Sequence, residues 1–125
     1  MPEALRHGRY VSLTTFRKDG TPVATPVWYA VDGDGLYVWT REDSWKVKRL
    51  RRNDRVVVTA CDVRGRVAEG AARAEGRARL LDDTAGVRRL LARKYGLQFW
   101  LVDLPAALVR RGRRPHVGIA VTFAD

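Results

Sequence analysis

Two periodicities alternate along this chain, and the shorter one dominates. Tyr10 to Phe16 mixes β-forming residues with hydroxyls and runs into Asp19-Gly20, a dipeptide suited to a tight hairpin because Gly accepts positive φ without strain. From Thr21 to Val31 the residues Val23, Thr25, Val27, Tyr29 and Val31 share one face, with Ala24, Trp28 and Ala30 on the other, which predicts a second strand. Pro22 and Pro26 cannot donate ladder hydrogen bonds. That strand must therefore lie at an edge, bulge, or leave backbone free for a ligand. Asp32-Gly33-Asp34-Gly35 turns the chain into Leu36 to Thr40, a third strand of the same meander.

After Thr40 the period lengthens. Val47 and Leu50 recur at helical spacing among basic residues, and Asp43 or Ser44 can cap a short basic helix that ends near Asn53. The β-branched run in Arg55 to Ala60 predicts a fourth strand, closed by a turn at Arg64-Gly65. Val67 to Leu81 is rich in Ala, which favours a helix on propensity. Its small or apolar residues nevertheless alternate with Glu69, Arg73, Glu75, Arg77 and Arg79. A period of two predicts one long strand with an unusually small inner face, open to close approach by a strand, a subunit or a flat ligand. Asp82 or Asp83 caps a helix through Tyr95, with Val87, Leu90, Leu91 and Tyr95 on one stripe, placed over an open end of the sheet. Leu97 to Arg114 reads as irregular, with a short helix after Pro105, and its Phe99 to Val102 run needs burial, as at a subunit interface. Alternation in Val117 to Phe123 predicts a final strand. The pattern is mainly β, with two or three short helices.

Composition narrows the class. Of the 125 residues 46% are hydrophobic and 30% charged, which supports a folded core and excludes a disordered chain. No linker or repeat divides residues 1–125, so one domain is expected. Cys61 is the only cysteine, which excludes an internal disulfide and a thiol-rich metal site and fits a reducing, cytoplasmic setting. Met1 to Arg9 lacks the apolar stretch of a secretory signal. The most apolar window, Leu97 to Val109, is interrupted by Asp103 and Pro105 and is too short for a span of about 20 residues, so no membrane partner is expected. A net charge of +10 favours anionic partners without choosing among nucleic acid, acidic lipid and an anionic cofactor.

The candidate chemistry lies where the third strand gives way to the basic helix. Thr40 places a hydroxyl at the strand end, Ser44 another at the helix start, and Lys46 a full charge in the first turn. Free N–H groups and the helix dipole favour an anion there. A capped helix with a solvated basic face is the competing reading of the same residues.

These residues, with Asp19-Gly20-Thr21-Pro22, Thr25-Pro26-Val27-Trp28, Asp32-Gly33, Trp39-Thr40, Leu50 and Val56, resemble the pyridoxamine 5'-phosphate oxidase-like split β-barrels. That family includes FMN-dependent oxidases and enzymes using the deazaflavin F420. The resemblance runs from about Arg9 to Phe123 and is strongest between residues 13 and 60. It implies a six-stranded antiparallel Greek-key split barrel and a homodimer with its cofactor at the interface. It also implies that Thr40, Ser44 and Lys46 bind the cofactor phosphate, while Thr25, Pro26, Val27 and Trp28 form the strand beside the ring system. Thr25 stands where the vitamin-forming oxidases carry Arg, and this sequence lacks their basic C-terminal substrate motif. The Thr-Pro-Val-Trp stretch and Arg-rich helix look more like the F420 branch, with FMN the alternative cofactor and an FMN-binding protein or flavin reductase the alternative function. The cofactor would carry the hydride, so no catalytic acid or base is assigned.

Other residues take blander readings. His7 and His116 lack acidic or thiol partners at ligand spacing and read as surface or interface residues, with no metal site. Cys61 reads as a small hydrophobe, and Trp28, Trp39, Trp45 and Trp100 divide between ring stacking and packing. Arg110-Arg111-Gly112-Arg113-Arg114 reads as solvated in preference to a contact with an acidic cofactor tail. The rival classes are a basic nucleic-acid-binding module, disfavoured, and a cofactor carrier without turnover. Steep salt dependence would mark the former.

Overall fold

The computed structural model of the chain describes residues 1–41, 44–82, 84–96 and 116–123. After a 3-10 turn, Glu3–Arg6, come β1 (Tyr10–Phe16), β2 (Pro22–Val27), β3 (Ala30–Asp32), β4 (Gly35–Arg41), α1 (Trp45–Arg52), β5 (Arg55–Cys61), β6 (Arg73–Leu81), α2 (Ala85–Tyr95) and β7 (His116–Phe123). The strands form one antiparallel sheet in the order β2-β1-β5-β6-β7-β4-β3. Its two edges, β2 and β3, are neighbours in sequence, separated only by Trp28 and Tyr29. Laid flat, seven strands would hold those edges about 29 Å apart. Three Cα steps reach at most about 11 Å. The sheet must therefore curl into a barrel.

The expected second strand thus becomes two, giving seven strands where six were expected, because Trp28 and Tyr29 carry the chain across the split. Pro22 and Pro26 do lie on an edge strand, where a missing N–H costs no ladder bond. Ladder register puts Val11, Leu13, Val27, Val56, Val58, Leu36, Val38, Ile119 and Val121 on the inner face, where they pack into one core. Ala74, Gly76 and Ala78 keep the β6 side of that core thin. A Cβ on Gly76 would stand 2.5 Å from the Thr122 backbone oxygen, so β7 approaches as closely as the small-residue row anticipates.

The long strand expected from Val67 starts only at Arg73. Gly70, at φ +76°, breaks the extended backbone, and Asp62 accepts from the N–H groups of Arg64 and Arg66, winding the preceding residues into a turn. α1 closes the barrel end beside Thr15, inserting Leu50 into the core. The 3-10 turn sits at the other end, where Leu5 is fully buried and its carbonyl accepts from the Tyr29 hydroxyl. α2 departs from its expected place over an open end. Val87, Leu91 and Tyr95 pack instead on the outer face of β3 and β4 with Ala30, Tyr37 and Trp39. The residue before it is Thr84, whose side chain makes no capping bond, in place of Asp82. The alternatives Asp43 and Asp83, the segment Leu97 to Arg114 and Trp100 lie outside the described residues.

Candidate functional site

Ser44 caps α1: its Oγ accepts from Val47 N–H at 3.4 Å, and its own N–H donates to the Arg41 carbonyl at 3.1 Å. Lys46 follows in the first helical turn, half-buried. Burial, and then the positive charge of Arg49, push its pKa below the usual lysine range. Arg49 is itself pushed down by burial and then by Arg17. Its Nε donates to Thr15 Oγ1 at 2.6 Å, and Thr15 is fully buried. Among the described residues, Lys46, Arg49 and Arg17 form no ion pair with a carboxylate. Thr40, half-buried and opposite Val117, ends the inner row that Leu36 and Val38 begin. Chain connection through β4 and α1 thus brings Thr40, Ser44 and Lys46 to the same barrel end, as a phosphate site would need.

The β2 group divides. Thr25 lies opposite Leu13 and Val27 opposite Val11, both on the inner face, while Pro26 lies exposed on the outer face. Thr25 Oγ1 is buried without a hydrogen-bond partner among the described residues, a capacity that a ligand could satisfy. Trp28 leaves the ladder to stack on Tyr95, with centroids 4.6 Å apart and planes 9° from parallel. That ring therefore packs against α2. The β2 residue level with Thr15 is Val23, so Val27 lies four residues, about 13 Å, further from the α1 end. Any single ligand using both groups must be long, anionic at one end and able to follow the edge strand.

A buried hub holds the far end of that strand. The Tyr95 hydroxyl accepts from Tyr29 N–H (3.1 Å) and donates to the Arg9 carbonyl (2.6 Å), with Tyr29 O at 3.0 Å. Burial pushes its pKa up to about 12, so the donor stays protonated. Lys94 Nζ donates to Tyr29 O at 2.9 Å and sits 3.6 Å from the Tyr29 ring centroid. Of the other residues weighed, His7 is exposed and bonds Glu3, while Trp39 stacks on His116. Cys61 is half-buried, and burial raises its thiol pKa, which keeps it protonated. Trp45 is 70% exposed with Lys48 over its ring. The Arg49–Thr15 bond was not anticipated from sequence, although Arg49 stands three residues after Lys46 on the same helix side.

A curled antiparallel sheet split between β2 and β3, with a helix closing one end, defines the class of split β-barrel proteins. The chain belongs to the pyridoxamine 5'-phosphate oxidase family, whose model matches residues 1–125, and that family binds flavin-type cofactors. Solved structures agree on the fold. A conserved hypothetical protein of Mycobacterium tuberculosis is 24% identical with a TM-score of 0.71, over 100% of this chain and 82% of that one. An F420 reductase is 21% identical with a TM-score of 0.67, over 100% and 97% of the respective chains. An FAD-binding protein of Mesorhizobium loti is 24% identical with a TM-score of 0.61, over 97% and 83%. No curated protein matches the chain. No described helix is long and apolar enough to cross a membrane.

Proposed function

We propose that this protein is an oxidoreductase that binds F420, or FMN in its place, at a homodimer interface and moves a hydride to or from a small organic substrate in the cytoplasm. The observation that carries the reading is the half-buried Lys46, which has no carboxylate partner among the described residues, beside a capped helix start. An uncompensated cation in that position is stabilised when a phosphate arrives. Thr40 and Ser44 would add hydroxyl donors, and the edge strand from Thr25 to Trp28 would run beside the ring, with Thr25 Oγ1, which has no hydrogen-bond partner among the described residues, offering a group for it. The donor set fits a phosphate-bearing cofactor.

Bound there, the cofactor would supply the hydride chemistry, and the chain would supply grip, orientation and exclusion of water. The outer side of β2 presents exposed Pro26, and exposed Val63 and Val67 lie on the β5–β6 connection. A second copy on that face would shield the ring from water. Absorption and fluorescence titration of the purified protein with F420 and FMN tests the reading, together with molar mass by light scattering. Saturable micromolar binding and a dimer are expected. Failure of both cofactors to bind refutes it, and turnover assays with quinones or enones then separate an enzyme from a carrier.

A further inference from the structure

Among the lysines, Lys18 and Lys48 are exposed and Lys46 belongs to the α1 end, whereas Lys94 is half-buried in the last turn of α2. Its Nζ donates to Tyr29 O at 2.9 Å and sits 3.6 Å from the Tyr29 ring centroid, which holds the amine at the wall of a cleft of about 420 Å³. Arg6, His7 and Arg93 line the same cleft, with Asp32 as its one carboxylate among the described residues. Arg6 donates to Gly33 O at 3.0 Å and stands 3.6 Å from Glu3 and 3.9 Å from Asp34, while His7 bonds Glu3. Arg93 is exposed and pairs with no carboxylate among the described residues. A cleft with that lining concentrates small anions beside an amine. Burial, and then the charge of Arg9, hold Lys94 at about 8, so about a tenth of it is the neutral, nucleophilic form at pH 7.

We propose that Lys94 is an acylation site: a small acyl phosphate enters this cleft, is held through its phosphate by Arg93 and Arg6, and passes its acyl group to Nζ. The neutral amine attacks the acyl carbon and an N–C bond forms. The C–O bond to phosphate breaks, and inorganic phosphate leaves with the bonding pair and the proton that nitrogen sheds. The product amide keeps an N–H for Tyr29 O but sets no charge over the Tyr29 ring. Acylation therefore loosens the tie between α2 and the crossing at Trp28 and Tyr29. The cleft lies beside the 3-10 turn, at the opposite barrel end from α1, so the site is independent of the proposed cofactor pocket.

The test incubates the full chain with acetyl phosphate at neutral pH and follows each lysine by peptide mass spectrometry over time. Lys94 should gain its acetyl group about threefold faster than the exposed Lys18 and Lys48, the scale of one exposed charge contact. An uncharged donor, the N-hydroxysuccinimide ester of acetate, separates docking of the anion from reactivity of the amine. Arg93→Gln should slow acetyl phosphate labelling of Lys94 about threefold and leave labelling by the ester unchanged. Added inorganic phosphate should do the same to wild type, which carries the test without any substitution. Arg93 is exposed and has no carboxylate partner among the described residues, so its variant keeps the fold. Acetyl phosphate labelling of Lys94 no faster than that of Lys18 and Lys48 overturns the site. So does an equal effect of Arg93→Gln, or of phosphate, on both donors.

Discussion

Replacing Tyr95 by Phe deletes a single oxygen at the point where the barrel edges meet. The ring stays stacked on Trp28, so no cavity of consequence opens and the cost is almost wholly polar. Three backbone groups lose a partner. The Arg9 carbonyl belongs to an exposed residue and can turn to water, and Tyr29 O keeps Lys94. Tyr29 N–H has no such substitute, because Tyr29 is fully buried and this amide is held by the Tyr95 hydroxyl at 3.1 Å. An orphaned buried donor costs about 1–3 kcal/mol. For a domain between the sizes usually surveyed, that corresponds to a fall in Tm of roughly 3–15 °C. The assay is thermal unfolding by circular dichroism at fixed protein concentration, with the cofactor titration repeated at 20 °C. Loosening the crossover should also weaken ligands that follow β2. A Tm within 1 °C of wild type would show that water or a shifted carbonyl replaces the hydroxyl, and that the hub does not hold the split.

Gly76→Ala should destabilise the fold by about 1–3 kcal/mol, because its Cβ would meet a β7 backbone oxygen; denaturant unfolding checks this. Ser44→Gly should cost only a few tenths of a kcal/mol as a cap yet weaken cofactor binding several-fold, which separates the two roles of that hydroxyl in paired unfolding and binding titrations. Burial, and then Arg9, push Lys94 down to about 8, whereas the unfolded chain holds that proton to about 10.4. The unfolded state therefore binds more protons between those values, so Lys94 makes stability rise with pH across that window, and Lys94→Met should flatten the rise in unfolding midpoints. Lys46 is likewise lowered, so cofactor affinity should fall on the alkaline side as its charge is lost, a dependence that Lys46→Ala should remove in titrations at several pH values.

The sequence by itself determined the local structure and part of the site. Alternation sets Val117, Ile119, Val121 and Phe123 of β7 on one face, because a strand has period two whatever it packs against, and β-forming composition marks β1, β4 and β5 as strands. Val47 and Leu50 at helical spacing, with Asp43 or Ser44 ahead of them as caps, likewise place α1 before any tertiary contact is known, and the structure selects Ser44. Tertiary structure decided what depends on closure. Alternation runs unbroken from Thr21 to Val31, but the barrel needs a crossing at Trp28 and Tyr29, which local pattern cannot register. It runs just as smoothly through Gly70, whose positive φ is set by the turn beyond Asp62. The same holds for the chemistry: Thr40, Ser44 and Lys46 lie within seven residues of one another and could be grouped by eye. The Arg49–Thr15 bond and the Tyr95 hub join residues 34 and 66 apart, and distances of that kind exist only once the sheet has curled.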